Sequence, residues 1–287
     1  MARSAQDPWH RGAPPHLPVS AAEALPPVCL LPGDPARVDL AAEVLDDFHI
    51  LGQNREFRIG TGRAPGGRRI AVCSTGIGGP STEIAVVELA RLGVRSVLRT
   101  GGMGALTSRI APGTVCAATR AVGGSGAASH YPADTAGPAA HPAVLTALRR
   151  AARDLDEPLT EITLATVDSY YLGQGRPLPG HEERAAARMG VLRGLGVDGL
   201  EMETETVLAV AGALGIRAGA VLVAHANRAT DDWLEDYRPA QLAMLRVAVR
   251  AAALLSDDDL PRQAPRSRGE QVDSASVRSH CPRPAVL

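Results

Sequence analysis

The chain has 287 residues, 45% of them hydrophobic, and its formal net charge is −1. The balanced charge disfavours nucleic acid as the main partner, and the lack of any run of about 18 apolar residues disfavours a membrane span. All 30 basic residues are arginines, so a P-loop lysine and Schiff-base chemistry are excluded.

Six short apolar segments, bounded by Gly, Pro or Asp, predict buried strands. In chain order they cover residues 27–33, 69–76, 94–102, 113–122, 161–169 and 219–227. Helical patterns are interleaved with them at residues 34–48, 80–93, 141–155, 201–215 and 238–255. This alternation predicts an α/β domain with a largely parallel sheet covered on both faces.

Composition divides the chain into three parts. Residues 1–15 are rich in proline and polar residues and predict a flexible N-terminal arm. Residues 16–255 predict a single folded domain, and residues 256–287, with many charges and no apolar period, predict a disordered tail. The first residues lack the apolar segment of a secretory signal, so we expect a cytoplasmic protein.

The four cysteines are too scattered to predict a disulfide framework or a zinc site. They are Cys29, Cys73, Cys116 and Cys281, and no C-x-x-C pair occurs.

Three glycine-rich segments follow predicted strands, and two of them carry an arginine. The first has Gly33 with Arg37, the second is "VLRTGGMGAL" with Arg99, and the third is "CSTGIGGPSTEIA". We expect Arg99 at a strand end, followed by a turn whose bare backbone admits an anion. Ligands bind beyond the carboxyl ends of strands in such sheets, so the three segments predict an oxyanion pocket. No G-x-G-x-x-G motif with a distal acidic residue supports a dinucleotide site.

The motifs of the chain resemble those of the nucleoside phosphorylases, in the branch of the hexameric bacterial uridine phosphorylases. They occur in the same order and rough spacing over nearly all of residues 16–255: "PGDPARV", "NREF", "CSTGIGGPSTEIAVVELARLG", "LRTGGMGA", "YYLGQGR", "EMETET" and "NR". The resemblance implies a single-domain mixed sheet, distorted and barrel-like, flanked by helices. It also implies reversible phosphorolysis of uridine to uracil and ribose 1-phosphate, with inorganic phosphate as co-substrate and no other cofactor.

The resemblance implies that several guanidinium groups hold the phosphate dianion. The residues that match are Gly33, Arg37, Arg55, Arg99 and Gly102. Arg55 is expected to reach the site of a neighbouring subunit. Gly102 stands where the uridine branch has a threonine that touches phosphate and ribose. The lost hydrogen bond to a charged group is worth roughly 1.5–3 kcal/mol.

For the sugar, the resemblance implies contacts from His16, Met202 and Glu203. Glu203 would bind the 2′- and 3′-hydroxyls and stabilise the positive charge that builds on the sugar. Met202 would lie under the ring, and His16 would cross a dimer interface to the 5′-hydroxyl. For Glu201 and Glu205 we favour a helix-dipole role.

For the base, the resemblance implies contacts from Gly104, Tyr170, Gln174 and Arg176. Gln174 offers both a donor and an acceptor to the uracil edge, and Arg176 would stabilise negative charge as uracil leaves. The catalytic residues would therefore be Arg99, Arg176 and Glu203.

The resemblance also implies a monovalent cation, K⁺, held between two subunits. Its ligands would be Glu56, Ile70 and Ser74, an oxygen set that suits a hard cation. Because Arg55 and His16 serve a neighbour, a homodimer is the minimum assembly and a hexamer is the expected one.

The resemblance leaves the substrate open. His225 stands where the uridine branch has an aliphatic residue near the base. Three interpretations are open for it: a core residue, a base contact, or a contact to an altered substrate. A sugar-modified uridine, such as 5′-amino-5′-deoxyuridine or 2′-deoxyuridine, is an alternative substrate. A non-catalytic nucleoside-binding protein is a second alternative, and a hydrolase is disfavoured by the arginine clamp. Purine specificity is disfavoured because no Ser-Asp pair follows the last strand.

Overall fold

Ten strands form one sheet within residues 4–20, 22–132 and 136–256, which are the residues that the computed structural model describes. The strands are β1 (Val28–Pro32), β2 (Asp46–Asn54), β3 (Phe57–Arg63), β4 (Arg69–Cys73), β5 (Ser96–Ala105), β6 (Val115–Val122), β7 (Leu159–Thr166), β8 (Gly199–Glu201), β9 (Arg217–Asn227) and β10 (Asp232–Trp233). The helices are α1 (Ala36–Leu40), α2 (Gly79–Arg91), α3 (Pro142–Asp154), α4 (Glu182–Gly194), α5 (Thr204–Ala213) and α6 (Arg238–Leu254).

Part of the sheet closes on itself. The strand order is β10-β9-β6-β7-β8-β5-β1-β4-β3-β2, and β5 also pairs with β9. Strands β5, β8, β7, β6 and β9 therefore form a ring, from which β1, β4, β3 and β2 extend. Parallel pairing joins β1 to β4 and β5, β5 to β9, and β7 to β6 and β8, and the other pairings are antiparallel. The predicted mixed α/β fold with a barrel-like sheet and flanking helices is confirmed.

Apolar cores on both faces hold the sheet in place. Helices α2 and α5 pack together over one core, and α3 and α6 pack together over the other. A smaller third core lies between α4 and strands β7 and β8. Strands β5 and β9 are almost wholly buried, as expected for strands covered on both faces.

Two predictions differ from the structure. The helix predicted at residues 34–48 ends at Leu40, continues as a 3₁₀ turn to Glu43, and gives way to β2 at Asp46. Strand β5 does not end at Arg99 but runs on to Ala105. The glycines expected to form a turn after Arg99 are therefore strand residues.

The described part of the N-terminal segment packs on α2. The Arg91 guanidinium lies 4.1 Å from the centre of the Trp9 ring, and Arg91 also pairs with Asp7. Residues 1–3 and all but Ser256 of the predicted tail lie outside the described residues. Among the helices described, none has the length and apolar character needed to cross a membrane.

Candidate active site

A cavity of about 710 Å³ gathers most of the predicted site residues. It is lined by Gly33, Arg37, Glu56, Arg99, Gly102, Gly104, Tyr170, Gln174, Arg176, Met202 and Glu203. Residues without a predicted role in the site also line it, among them Asp34, Ile77, Glu201 and Trp233. His225, whose role was left open, lines it too. The segments following β1 and β4, the later part of β5 and the start of α5 surround it.

Arg99 is buried in the wall of this cavity between two carboxylates. Its Nε donates to Glu201 Oε2 at 2.8 Å, and its Nη2 forms an ion pair with Glu203. Burial alone would lower the pKa of Arg99, but Glu203 and Glu201 raise it above its ordinary value. Arg99 therefore stays charged, and its Nη1 group donates to no residue of the described chain.

Glu201 fixes Arg99 and the start of α5 together. Its Oε2 also accepts the backbone N–H groups of Glu203 and Thr204, each at 2.8 Å, and its Oε1 accepts from Thr166 Oγ1 at 2.5 Å. The carboxylate thus satisfies orphan donors at a helix N-terminus, as the sequence analysis expected for it. The contact with Arg99 is an additional role, which no pattern in the sequence indicated.

Glu203 lies where three elements meet. Its Oε1 accepts the backbone N–H of Gly78 at 2.6 Å, immediately before α2, and its other oxygen contacts Arg99. Burial raises the pKa of Glu203, against the opposing effect of Arg99 and with the help of Glu201. The third glycine-rich segment therefore places its helix N-terminus against a protein carboxylate.

Arg37 differs from Arg99 because no carboxylate of the described residues lies within ion-pair distance of its guanidinium. It extends from α1 into the cavity. Burial lowers its pKa against the effect of Asp34, and the charge of Arg99 acts in the same direction as burial. Both guanidinium groups thus line one cavity, and within the described residues carboxylates neutralise Arg99 alone. This arrangement favours an anionic ligand.

The cavity is also lined by a polar cluster at a short 3₁₀ turn, Leu172–Gln174. Arg176 Nη1 donates to Gln174 Oε1 at 2.8 Å and to the Tyr170 carbonyl at 2.6 Å, and its guanidinium lies 3.8 Å from the centre of the Tyr170 ring. Gln174 is buried, yet its NH₂ group donates to no described residue. A ring with carbonyl oxygens fits such donors.

Arg228, the residue after β9, supports this turn. It had no predicted role, although the "NR" motif contains it. Its guanidinium donates to the backbone carbonyls of Gln174 and Gly175. Burial, reinforced by the charge of Arg176, lowers the pKa of Arg228. The lone signal in the sequence was its place in the motif.

Arg55 and His16 are not brought to the cavity of their own chain. Arg55 is exposed at the turn between β2 and β3, with a φ of 52°. His16 Nδ1 lies 2.7 Å from Glu88 Oε1 on α2, and its carbonyl accepts from Asn54 Nδ2 at 2.7 Å. Their predicted roles concern a neighbouring subunit.

The three predicted cation ligands do not meet within one chain. Ser74 Oγ donates to the Glu56 carbonyl at 2.5 Å and accepts the Arg58 N–H at 2.8 Å. Ile70 precedes Ser74 by four residues on β4, roughly 13 Å along an extended strand. One chain therefore does not fit a single ion with all three residues.

Comparisons with known proteins agree with this geometry. The sequence profile of the family described as "Phosphorylase superfamily" matches residues 27–257. A uridine phosphorylase from Haemophilus influenzae is 40% identical over 70% of this chain and 81% of its own length. A uridine phosphorylase from Escherichia coli is 36% identical over 79% of this chain and 92% of its own length. A guanosine phosphorylase from Halorubrum lacusprofundi is 32% identical over 87% of this chain and 91% of its own length.

The family match spans every strand of the sheet and the residues that line the cavity, and the relatives share its sequence at these levels over most of their length. Fold, site and sequence therefore agree. The chain belongs to the phosphorylase superfamily.

Proposed function

We propose that this protein is a uridine phosphorylase, a pentosyltransferase that uses inorganic phosphate as nucleophile. One observation carries the proposal. Arg37, without a carboxylate partner in the described chain, lines the same cavity as Glu203 and the Gln174–Arg176 pair. These groups suit an anion, a sugar diol and a pyrimidine carbonyl respectively. The relatives named uridine phosphorylase support the same substrate.

The reaction follows from these groups. Phosphate, oriented by Arg37 and the Nη1 group of Arg99, attacks C1′ as the C1′–N1 bond breaks. The electron pair of that bond passes to uracil, and Arg176 stabilises the resulting negative charge on the base. Glu203, which accepts hydrogen bonds, orients the ribose hydroxyls and offsets the positive charge at C1′. Gly33, Gly102, Gly104, Met202 and Tyr170 complete the walls.

We further infer a homo-oligomer, with a dimer as the minimum and a hexamer as the assembly expected from the sequence. The proposal is supported by the position of Arg55 and His16, which lie away from the cavity of their own chain. The K⁺ site at Glu56, Ile70 and Ser74 stays a prediction for the assembled oligomer, as does the cytoplasmic location for the protein.

The test is uracil release from uridine, followed by absorbance with and without inorganic phosphate. We expect release that requires phosphate and yields ribose 1-phosphate. Release without phosphate would identify a hydrolase, and no release with phosphate would identify a binding protein; either result contradicts the proposal.

A second candidate substrate is a sugar-modified uridine. It is favoured by position 102, where glycine stands in place of the threonine of the uridine branch and lies beside His225. A panel of uridine, 2′-deoxyuridine, 5′-amino-5′-deoxyuridine and guanosine separates these substrates. The highest kcat/KM on uridine supports the main proposal, and a higher value on a modified uridine supports the second.

A further inference from the structure

The wall of the cavity contains a histidine, His225, whose ring nitrogens have no hydrogen-bond partner among the described residues. His225 lies on β9, and its ring packs against the Tyr237 ring with centres 5.1 Å apart. Its Nε2 is buried and has no hydrogen-bond partner among the described residues. The imidazole therefore lines the cavity without a hydrogen bond to any described residue.

The ring occupies the space that a side chain at position 102 would need. A Cβ added to Gly102 would overlap Nδ1 and Cε1 of His225. Position 102 pairs with Val223 in the β5–β9 ladder, and the register shift after Met103 lies one residue further on. Because both strands are buried and paired, the backbones cannot separate to admit both side chains. Gly102 and His225 therefore form a matched pair.

The protonation of the ring follows from its surroundings. Burial, together with the charge of Arg37, lowers the pKa of His225 to about 4, so the ring is neutral near pH 7. A neutral imidazole has one N–H. A buried N–H without an acceptor costs more than an unpaired lone pair, which places the proton on Nδ1. That nitrogen faces Gly102.

We propose that His225 is a phosphate-contacting residue, whose Nδ1–H donates to an oxygen of the anion held by Arg37, in the space that Gly102 leaves open. The inference rests on the proposed function. Arg37, Gly102 and His225 line the same cavity, and Nδ1 of the ring lies against position 102, so an anion bound to Arg37 shares the cavity with this edge of the ring. A hydrogen bond from the ring replaces the one that a hydroxyl at position 102 would supply.

Three substitutions of His225 test the assignment to one nitrogen. His225→Leu removes both ring nitrogens, His225→Asn keeps an amide N–H near the position of Nδ1, and His225→Gln keeps one near the position of Nε2. We expect His225→Leu and His225→Gln to raise the phosphate KM about tenfold or more, since hydrogen bonds to charged groups are strong. His225→Asn should stay close to the parent. The exposed His130→Leu is the matched control.

Phosphate binding is measured separately as the rise in Tm that inorganic phosphate produces, since a ligand of the native state stabilises it. An unchanged phosphate KM and Tm rise in His225→Leu would overturn the inference, as would a rise in the uridine KM alone. If the parent releases no uracil but His225→Leu loses the phosphate-induced Tm rise, the proposed function fails and the inference stands. If phosphate raises the Tm of neither protein, both are wrong.

A double-mutant cycle tests the pairing with position 102. Gly102→Thr alone should raise the phosphate KM, because the new Cβ displaces the ring of His225. In Gly102→Thr/His225→Leu the threonine hydroxyl can reach the phosphate, so we expect a phosphate KM closer to the parent than that of either single variant. Additive effects of the two substitutions would contradict the inference.

Discussion

At the scale of single residues, the two cavity arginines differ in what the protein does with their charge. Arg99 is neutralised by Glu201 and Glu203, whereas Arg37 has no carboxylate at ion-pair distance among the residues described. Removing a partner from a buried ion pair is costly because it leaves a charge unpaired. Removing a solvent-reachable ligand arginine costs binding instead.

We therefore predict different outcomes for Arg99→Ala and Arg37→Ala. Arg99→Ala should lower the free energy of unfolding by about 3–5 kcal/mol, since two buried carboxylates lose their partner. Arg37→Ala should keep the parent's Tm and raise the phosphate KM about 10- to 100-fold. Urea denaturation and initial rates at varied phosphate measure both effects.

Exposed Arg150 offers a control, since Arg150→Ala should change neither quantity. A loss of stability in Arg37→Ala equal to that in Arg99→Ala would contradict the division of roles between the two arginines.

The sequence motifs predicted which residues reach the cavity better than they predicted how these residues interact. The glycines after Arg99 were expected to admit an anion to bare backbone. In the structure they are strand residues that make room for side chains: a Cβ at Gly101 would lie 2.9 Å from Arg99 Nη2, and one at Gly102 would overlap His225. The contact between positions 102 and 225 joins residues distant in sequence, so local patterns do not reveal it.

At the scale of elements, segments with a strong apolar pattern were predicted well, and segments with a weak pattern were not. The segments that became β5, β9, α2 and α6 carry strong apolar patterns. Strands β2, β3, β8 and β10 and helix α4 had no predicted counterpart. Strand β3 is mostly buried, but its sequence, FRIGTGR, has only two large apolar residues. Strand β2 is only partly buried, so its hydrophobic pattern is weak, and β8 has three residues. Helix α4 buries only Ala185, Met189 and Leu192, which leaves a sparse apolar face.

Helix α4 nevertheless packs against the turn that we propose to bind the base, through Gly175. This glycine has a φ of 68°, and a Cβ added to it would overlap Met189 of α4. We predict that Gly175→Ala displaces Gln174 and Arg176 and raises the uridine KM about tenfold or more, while the phosphate KM changes little. Steady-state rates with each substrate varied in turn measure this.

Gly180 is the matched control for backbone strain. Its φ is 79°, but nothing lies within 4 Å of an added Cβ. Gly180→Ala should therefore cost only the left-handed backbone penalty of about 1 kcal/mol, with uridine KM unchanged. Equal effects of the two substitutions on uridine KM would show that strain, rather than the contact with Met189, governs the turn.

At the scale of the whole molecule, the site of one chain is incomplete if Arg55 serves a neighbour. Arg55 lies at an exposed hairpin turn, outside the cavity that Gln174 lines. The two residues would then act in one site although they belong to different chains. Each single substitution would impair every site of its own oligomer, but mixed oligomers would contain sites in which both residues are intact.

We predict that Arg55→Ala and Gln174→Ala complement each other. After denaturation and joint refolding in equal amounts, random pairing into dimers makes about a quarter of the sites intact, so roughly a quarter of the parent's activity should return. Arg37→Ala mixed with Gln174→Ala is the control. Both residues line the cavity of one chain, so every site in this mixture lacks one of them and no pairing of chains restores activity. If the two mixtures recover the same activity, Arg55 does not act across an interface, because only residues contributed by different chains can be combined in this way.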